Sequence, residues 1–107
     1  MNKVLIVEDD REIRALLAEH LRDNGYEVVE LADGLHADKC VKEDGIELVL
    51  LDLMLPFKSG DQVLRDIRKI TNIPVIIICC NNSIKIILTK ICRFIIAVNH
   101  CISRNSE

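Results

Sequence analysis

The stretch "LVLLDLMLP", residues 48–56, is apolar except for a single aspartate, Asp52. An ionised carboxylate in an apolar interior needs a partner or a shifted pKa, because its burial alone is unfavourable. The run lies in a longer apolar segment, residues 46–55, that predicts a buried β-strand followed by Pro56. The sequence therefore raises the question of what stabilises Asp52 near the carboxyl end of this strand.

Further strands and helices alternate around this central strand. Short β-branched or alternating apolar runs predict strands at residues 3–7, 26–31 and 72–78. Apolar residues at helical spacing predict a helix over roughly 11–23, a second from the Asp-Gly pair at 33–34 to about Lys42, and a third opened by Ser59. The alternating order predicts an α/β fold, a doubly wound parallel sheet with helices on both faces. Residues 94–98 are the candidate fifth strand, and too few residues follow for a final helix of average length.

Length and composition favour a single domain of 107 residues with a real core, since half of the residues are hydrophobic. The formal net charge of −3 argues against a general binder of nucleic acid or anionic membranes. No signal peptide is visible, and no apolar run approaches the ~20 residues that span a membrane. The five cysteines form no CxxC pair, which favours a cytoplasmic protein with free thiols.

The composition changes near residue 79. Residues 1–78 carry 10 basic and 16 acidic residues, a net charge of −6, whereas residues 79–107 carry four basic residues and one acid, a net charge of +3. All four glycines precede residue 61, and four of the five cysteines follow residue 78. We hypothesise that the divergent segment derives from a shifted reading frame or an altered gene end. Without a final helix, apolar sheet surface is exposed, which favours association, for example as a homodimer.

Acidic residues follow two of the predicted strands. Glu8 and Asp9 come after the first strand, and Asp52 lies near the carboxyl end of the third. Ligands bind at the carboxyl ends of parallel strands where the winding reverses, so we expect these three carboxylates to converge. A hard divalent cation with oxygen ligands, most simply Mg²⁺, would offset their repulsion. Asp10 is expected to be a first-turn residue of the following helix.

The sequence resembles the receiver domains of two-component response regulators, especially those of transcriptional regulators. The matching motifs are "KVLIVEDD", "NGYEV", "ADG", "LVLLDLMLP", "SG" and "NIPVIII", within residues 2 to about 78. The resemblance implies a flavodoxin-like strand order 2-1-3-4-5. It also implies that Asp52 accepts a phosphoryl group from a sensor histidine kinase. Mg²⁺ would then be held by Asp9, with Glu8 as supporting acid, by Asp52, and by the backbone carbonyl of Met54.

The sequence departs from the family pattern after the fourth strand. The family places a Ser or Thr there and a Lys at the end of the fifth strand, and both carry the conformational switch. Here Cys79 stands in place of the hydroxyl residue, and a thiol is only a weak donor. Lys90 follows Cys79 too closely to be the family lysine, whose position we leave unassigned. No output domain is visible, so we expect no direct binding of nucleic acid by this chain.

Three functions remain open from the sequence. The first is a phosphoacceptor domain, and the second is a degenerate receiver that acts at most as an interaction module or phosphate sink. The third is a turnover enzyme on a similar fold, which we rank last. An aspartyl-nucleophile phosphatase usually shows DxD, and "DLM" at residues 52–54 lacks the second aspartate.

Overall fold

A computed structural model of the chain describes residues 2–78. Strands and helices alternate strictly: β1 (Lys3–Val7), α1 (Arg11–Asp23), β2 (Glu27–Leu31), α2 (Ala37–Glu43), β3 (Leu48–Asp52), α3 (Gly60–Arg68) and β4 (Val75–Ile78). The predicted order of elements is confirmed as far as β4. The predicted fifth strand at residues 94–98, and the segment after it, lie outside the described residues.

The four strands form one parallel sheet in the order β2-β1-β3-β4. The chain passes from β1 outward to β2 and then returns to place β3 on the other side of β1, so the winding reverses between β1 and β3. Their carboxyl ends are level, because Val7 pairs with Leu51. This is the doubly wound topology that the sequence predicted, and its order matches the first four strands of the flavodoxin-like arrangement.

Hydrophobic residues cover both faces of the sheet, as the long apolar runs of β1 and β3 require. All five residues of β3 are buried. Helix α1 packs on one face through Leu17 and Leu21, and α2 and α3 pack on the other through Val41, Val63 and Ile67. The sheet is thus held in register by two separate cores, and the ends of its strands remain available to form a site.

The helix ends follow the sequence at most positions. Gly25 and Gly45, just past α1 and α2, have φ of +87° and +66°, which glycine adopts without steric penalty. The second helix begins later than predicted, at Ala37. Asp33 does not cap it, because its Oδ1 accepts a hydrogen bond from the Leu35 N–H, 3.0 Å away, within the preceding turn. Within residues 2–78, no helix is long and apolar enough to cross a membrane.

Candidate functional site

Asp52 is the last residue of β3 and lies opposite Ile78 of β4. Only 4% of the residue is exposed. Its Oδ1 accepts a hydrogen bond from the backbone N–H of Met54 at 3.0 Å. This bond satisfies one carboxylate oxygen within the turn and orients the side chain at the carboxyl edge of the sheet. The backbone of the following turn therefore provides part of the stabilisation that the buried Asp52 carboxylate needs.

Glu8 and Asp9 leave the adjacent strand β1 at the same edge. The backbone N–H of Glu8 donates to the carbonyl of Leu31 at 3.0 Å, which continues the β1–β2 pairing by one residue. Glu8 is buried, with 1% exposure, whereas Asp9 is exposed. One oxygen from each of Glu8, Asp9 and Asp52 lies within 4.8 Å of the other two. The structure thus brings together the three carboxylates that the sequence expected to converge.

The electrostatics of this acidic cluster (Glu8, Asp9 and Asp52) are dominated by burial. Burial raises the pKa of Glu8 from 4.5 to about 8, with further contributions from a side-chain hydrogen bond to Asp52 and from repulsion by Asp52, Asp9 and Asp10. The Oε2 atom of Glu8 is buried without a hydrogen-bond partner among the described residues. Without a cation, Glu8 therefore holds a proton near neutral pH, and the proton removes part of the repulsion around Asp52.

The donor set of the acidic cluster fits a hard divalent cation. All three groups offer carboxylate oxygens, which Mg²⁺ prefers, and the unpartnered Glu8 oxygen is a buried acceptor in need of a positive partner. Met54 lies in the turn directly after Asp52 and directs its N–H to that carboxylate. The metal-binding role of the Met54 carbonyl stays a prediction.

Gly60 fixes the loop that follows Asp52. Its N–H donates to the carbonyl of Leu53 at 3.1 Å. A Cβ at Gly60 would lie 2.5 Å from the Asp52 carbonyl oxygen and 2.6 Å from the Leu53 Cα, closer than real side chains approach. Ser59 caps α3 by accepting a hydrogen bond from the Gln62 N–H at 3.3 Å, as predicted. The sequence "SG" therefore both starts the helix and lets it pack directly against the turn that follows Asp52.

For two residues near the site, the prediction from the sequence was wrong or absent. Asp10 is not in the first turn of α1 but is its N-cap, and its side chain accepts from the Ile13 N–H at 3.0 Å. Capping of a free backbone N–H at the start of α1 accounts for an aspartate at this position. Arg14 was not singled out, yet its guanidinium donates to the carbonyl of Glu8 at 2.8 Å. No periodicity signals such a contact, because the two residues are brought together only by the loop.

The expected switch positions are not among the residues that the structure describes. Cys79 and every candidate for the family lysine lie outside the described residues, so their roles stay predictions. Cys40, the one cysteine within residues 2–78, is buried on α2 and is not part of the acidic cluster. Its thiol donates a hydrogen bond to Asp44 Oδ2 at 3.1 Å. Burial, together with the bond to Asp44, raises its thiol pKa to about 11, so it is an unreactive core residue.

Known sequences are similar to this chain. A family model described as the response regulator receiver domain matches residues 4–93. The transcriptional regulatory protein CpxR of Escherichia coli K12 is 41% identical over 83 residues, which cover 78% of this chain and 35% of CpxR. The uncharacterized transcriptional regulatory protein YrkP of Bacillus subtilis is 41% identical over 81 residues, 76% of this chain and 35% of YrkP. The matched part thus spans 35% of the length of these two curated relatives.

Solved structures share the fold. The BeF3-activated N-terminal receiver domain of Klebsiella pneumoniae RstA matches with a TM-score of 0.71 and 35% identity, over 77% of this chain and 70% of that one. The receiver domain of the sensor histidine kinase PA1611 from Pseudomonas aeruginosa, solved with magnesium coordinated in its active-site cleft, matches with a TM-score of 0.70 and 30% identity, over 75% and 68%. The family model also extends past residue 78, where we expected the resemblance to end. On the agreement of sequence, fold and acidic cluster, this chain belongs to the response regulator receiver domain family.

Proposed function

We propose that this chain is a phosphoacceptor domain that receives a phosphoryl group on Asp52 from a sensor histidine kinase, with Mg²⁺ as cofactor. The observation that carries the proposal is the convergence of three carboxylates from the ends of β1 and β3, with oxygens within 4.8 Å of one another. A protein that needed Asp52 only for structure would gain nothing from placing two more acids beside it, since like charges repel.

Phosphoryl transfer to Asp52 requires mainly that the protein position the reacting groups and neutralise the charge of the phosphoryl oxygens. A carboxylate oxygen of Asp52 forms the new bond to phosphorus while the bond from phosphorus to the donor's nitrogen breaks, and the electron pair stays on the nitrogen. The Met54 N–H orients the acceptor carboxylate. Glu8, Asp9, Asp52 and the Met54 carbonyl would hold Mg²⁺, which supplies charge neutralisation for the phosphoryl oxygens. Glu8 must release its proton for this role, so metal binding and deprotonation are coupled.

The wider context of the chain is part of the proposal. We place it in the cytoplasm, as a single receiver-like domain of residues 1–107 with a family-like part up to residue 78 and a divergent part after it. The curated relatives are described as transcriptional regulatory proteins and are longer, which supports a role for this kind of domain at the input side of such a regulator. The chain itself would bind neither nucleic acid nor membrane and would not be a turnover enzyme; besides the kinase, its partner would be a second copy of the chain in a homodimer.

A second candidate function is a degenerate receiver. The observation that favours it is Cys79, which stands where the family carries a hydroxyl residue, together with the unassigned lysine. Such a chain would keep the acidic cluster and still lack the groups that respond to phosphorylation. It would act at most as an interaction module or a phosphate sink.

Intact-mass spectrometry after incubation with acetyl phosphate tests whether Asp52 accepts a phosphoryl group, which separates an acceptor, including a phosphate sink, from a mere interaction module. The wild-type chain and Asp52→Asn are compared with Mg²⁺ and with a chelator, and folding is checked by circular dichroism. A phosphoryl adduct that requires both Mg²⁺ and Asp52 supports the acceptor function. A folded wild-type chain without any adduct supports the degenerate receiver instead.

A further inference from the structure

Arg14 binds the loop that carries Glu8 and Asp9. Its guanidinium nitrogen Nη1 donates to the Glu8 carbonyl at 2.8 Å and makes a longer contact, 3.4 Å, with the Asp9 carbonyl. Its backbone N–H donates to the Asp10 carbonyl at 2.9 Å. Three consecutive carbonyl groups are therefore bound by one residue, which restricts the peptide planes that follow Glu8, Asp9 and Asp10.

A second element holds the same guanidinium from the other side. Arg14 Nε lies 3.7 Å from Glu30 Oε1 on β2, and Arg22 Nη1 lies 3.3 Å from Glu30 Oε2. The side chain of Arg14 is 18% exposed, so it is ordered between the loop, α1 and β2. Only a planar group with several donors can meet the carbonyls and a carboxylate at once, and lysine has a single nitrogen.

We infer that Arg14 is a positioning residue for the metal site, because it fixes the backbone from which Glu8 and Asp9 reach toward Asp52. This inference rests on the proposed function, since it concerns the Mg²⁺ site of that function. Groups that orient metal ligands without touching the metal typically change metal affinity by about 10–100-fold when removed. Arg14 would act in this way through the backbone rather than through the carboxylates.

The sign of the effect distinguishes positioning from charge. Arg14 is a cation close to an acidic cluster, so its removal alone would make the site more negative and strengthen Mg²⁺ binding. A positioning role predicts weaker Mg²⁺ binding, because the loop without the hydrogen bonds from Arg14 samples conformations in which the carboxylates diverge. A purely structural role would lower the free energy of unfolding and leave the Mg²⁺ affinity of the folded chain unchanged.

The test measures the Mg²⁺ dissociation constant of the full chain by isothermal titration calorimetry, with urea unfolding in a chelator as a parallel readout. The variants are Arg14→Gln and Arg14→Lys. Arg11→Gln is the matched control, since Arg11 is an exposed arginine on the same helix. We expect the constant to rise by about tenfold in Arg14→Gln, to recover only in part in Arg14→Lys, and to change by less than about twofold in Arg11→Gln.

Unchanged or tighter binding by folded Arg14→Gln overturns the inference and leaves the proposed function intact. If Arg14→Gln does not fold, Arg14→Lys decides by the same criterion, and wild-type affinity in that variant overturns the inference. A wild-type chain that does not bind Mg²⁺, or binds it equally well after Asp52→Asn, removes the proposed function and this inference with it. The Asp52→Asn titration thus tells the two failures apart.

Discussion

Asp52 illustrates how a buried carboxylate is tolerated at a functional edge. The residue is 4% exposed, and the backbone N–H of Met54 donates a hydrogen bond to its carboxylate. Glu8 adds to the stabilisation, because its raised pKa lets it hold a proton near neutral pH, which removes part of the repulsion around Asp52. In the proposed function Glu8 would give up this proton to a bound cation, and the difference between the two conditions can be measured.

The raised pKa of Glu8 predicts how stability depends on pH. Its pKa is about 8 in the folded chain and about 4.5 when exposed, so the folded state binds the extra proton. The stabilisation from this proton is therefore full below about pH 4.5, falls by up to about 1.4 kcal/mol per pH unit as the pH rises from 4.5 to 8, and is lost above 8. In a chelator, we expect Glu8→Gln to gain stability over wild type progressively between pH 5 and 8, as measured by urea unfolding. A difference that does not vary with pH would contradict the assignment of the proton to Glu8.

Phe57 adopts a conformation that a bulky residue rarely takes. Its φ is +67°, and the side chain is 85% exposed, so little packing offsets the strain. We expect Phe57→Gly to raise the free energy of unfolding by about 0.5–1 kcal/mol, after allowance for the greater freedom of glycine in the unfolded chain. Phe57→Ala keeps the strained Cβ and is the control, in which we expect no such gain. Equal stability of the Gly and Ala variants would argue against strain at this position.

Helix α3 begins directly against the turn that follows Asp52. Gly60 is the first residue of α3, where alanine would ordinarily be the better helix former. Because a Cβ there would overlap the backbone of Asp52 and Leu53, we expect Gly60→Ala to lower the free energy of unfolding by about 1–3 kcal/mol. Gly25→Ala is the comparison for backbone strain alone, because its Cβ would meet open space while its φ of +87° costs alanine about 1–2 kcal/mol. A Gly60→Ala variant as stable as wild type would show that the helix can move away from the turn.

The elements themselves were largely predictable, because the strands and helices carry distinct periodicities. The start of α2 was not, since an aspartate followed by glycine serves equally well as a helix cap or as a turn, and Asp33 forms a turn. The convergence of Glu8 and Asp52 followed from the parallel topology. The contacts of Arg14 could not be predicted, because they depend on the path of the loop and because its partner Glu30 lies on another strand.

At the scale of the whole molecule, the reversal of winding between β1 and β3 brings the chemistry together. Two strands from opposite halves of the sheet end side by side there, so a metal bound by residues after both strands would link the two halves of the sheet. We expect Mg²⁺ at 100 times its dissociation constant to raise the free energy of unfolding of the full chain by about 2.7 kcal/mol. Thermal unfolding with increasing Mg²⁺ measures this effect, and Asp9→Asn is the control that should remove most of it. A melting temperature indifferent to Mg²⁺ in wild type would contradict the site.

The most direct measurement locates the phosphoryl group. The chain is treated with acetyl phosphate and Mg²⁺, reduced with borohydride, which converts an aspartyl phosphate to homoserine, digested, and sequenced by tandem mass spectrometry. We predict homoserine at position 52, dependent on Mg²⁺, with Asp9 and the other aspartates unchanged. Homoserine at a different aspartate, or at none in a folded chain, would contradict the assignment of Asp52 as the acceptor.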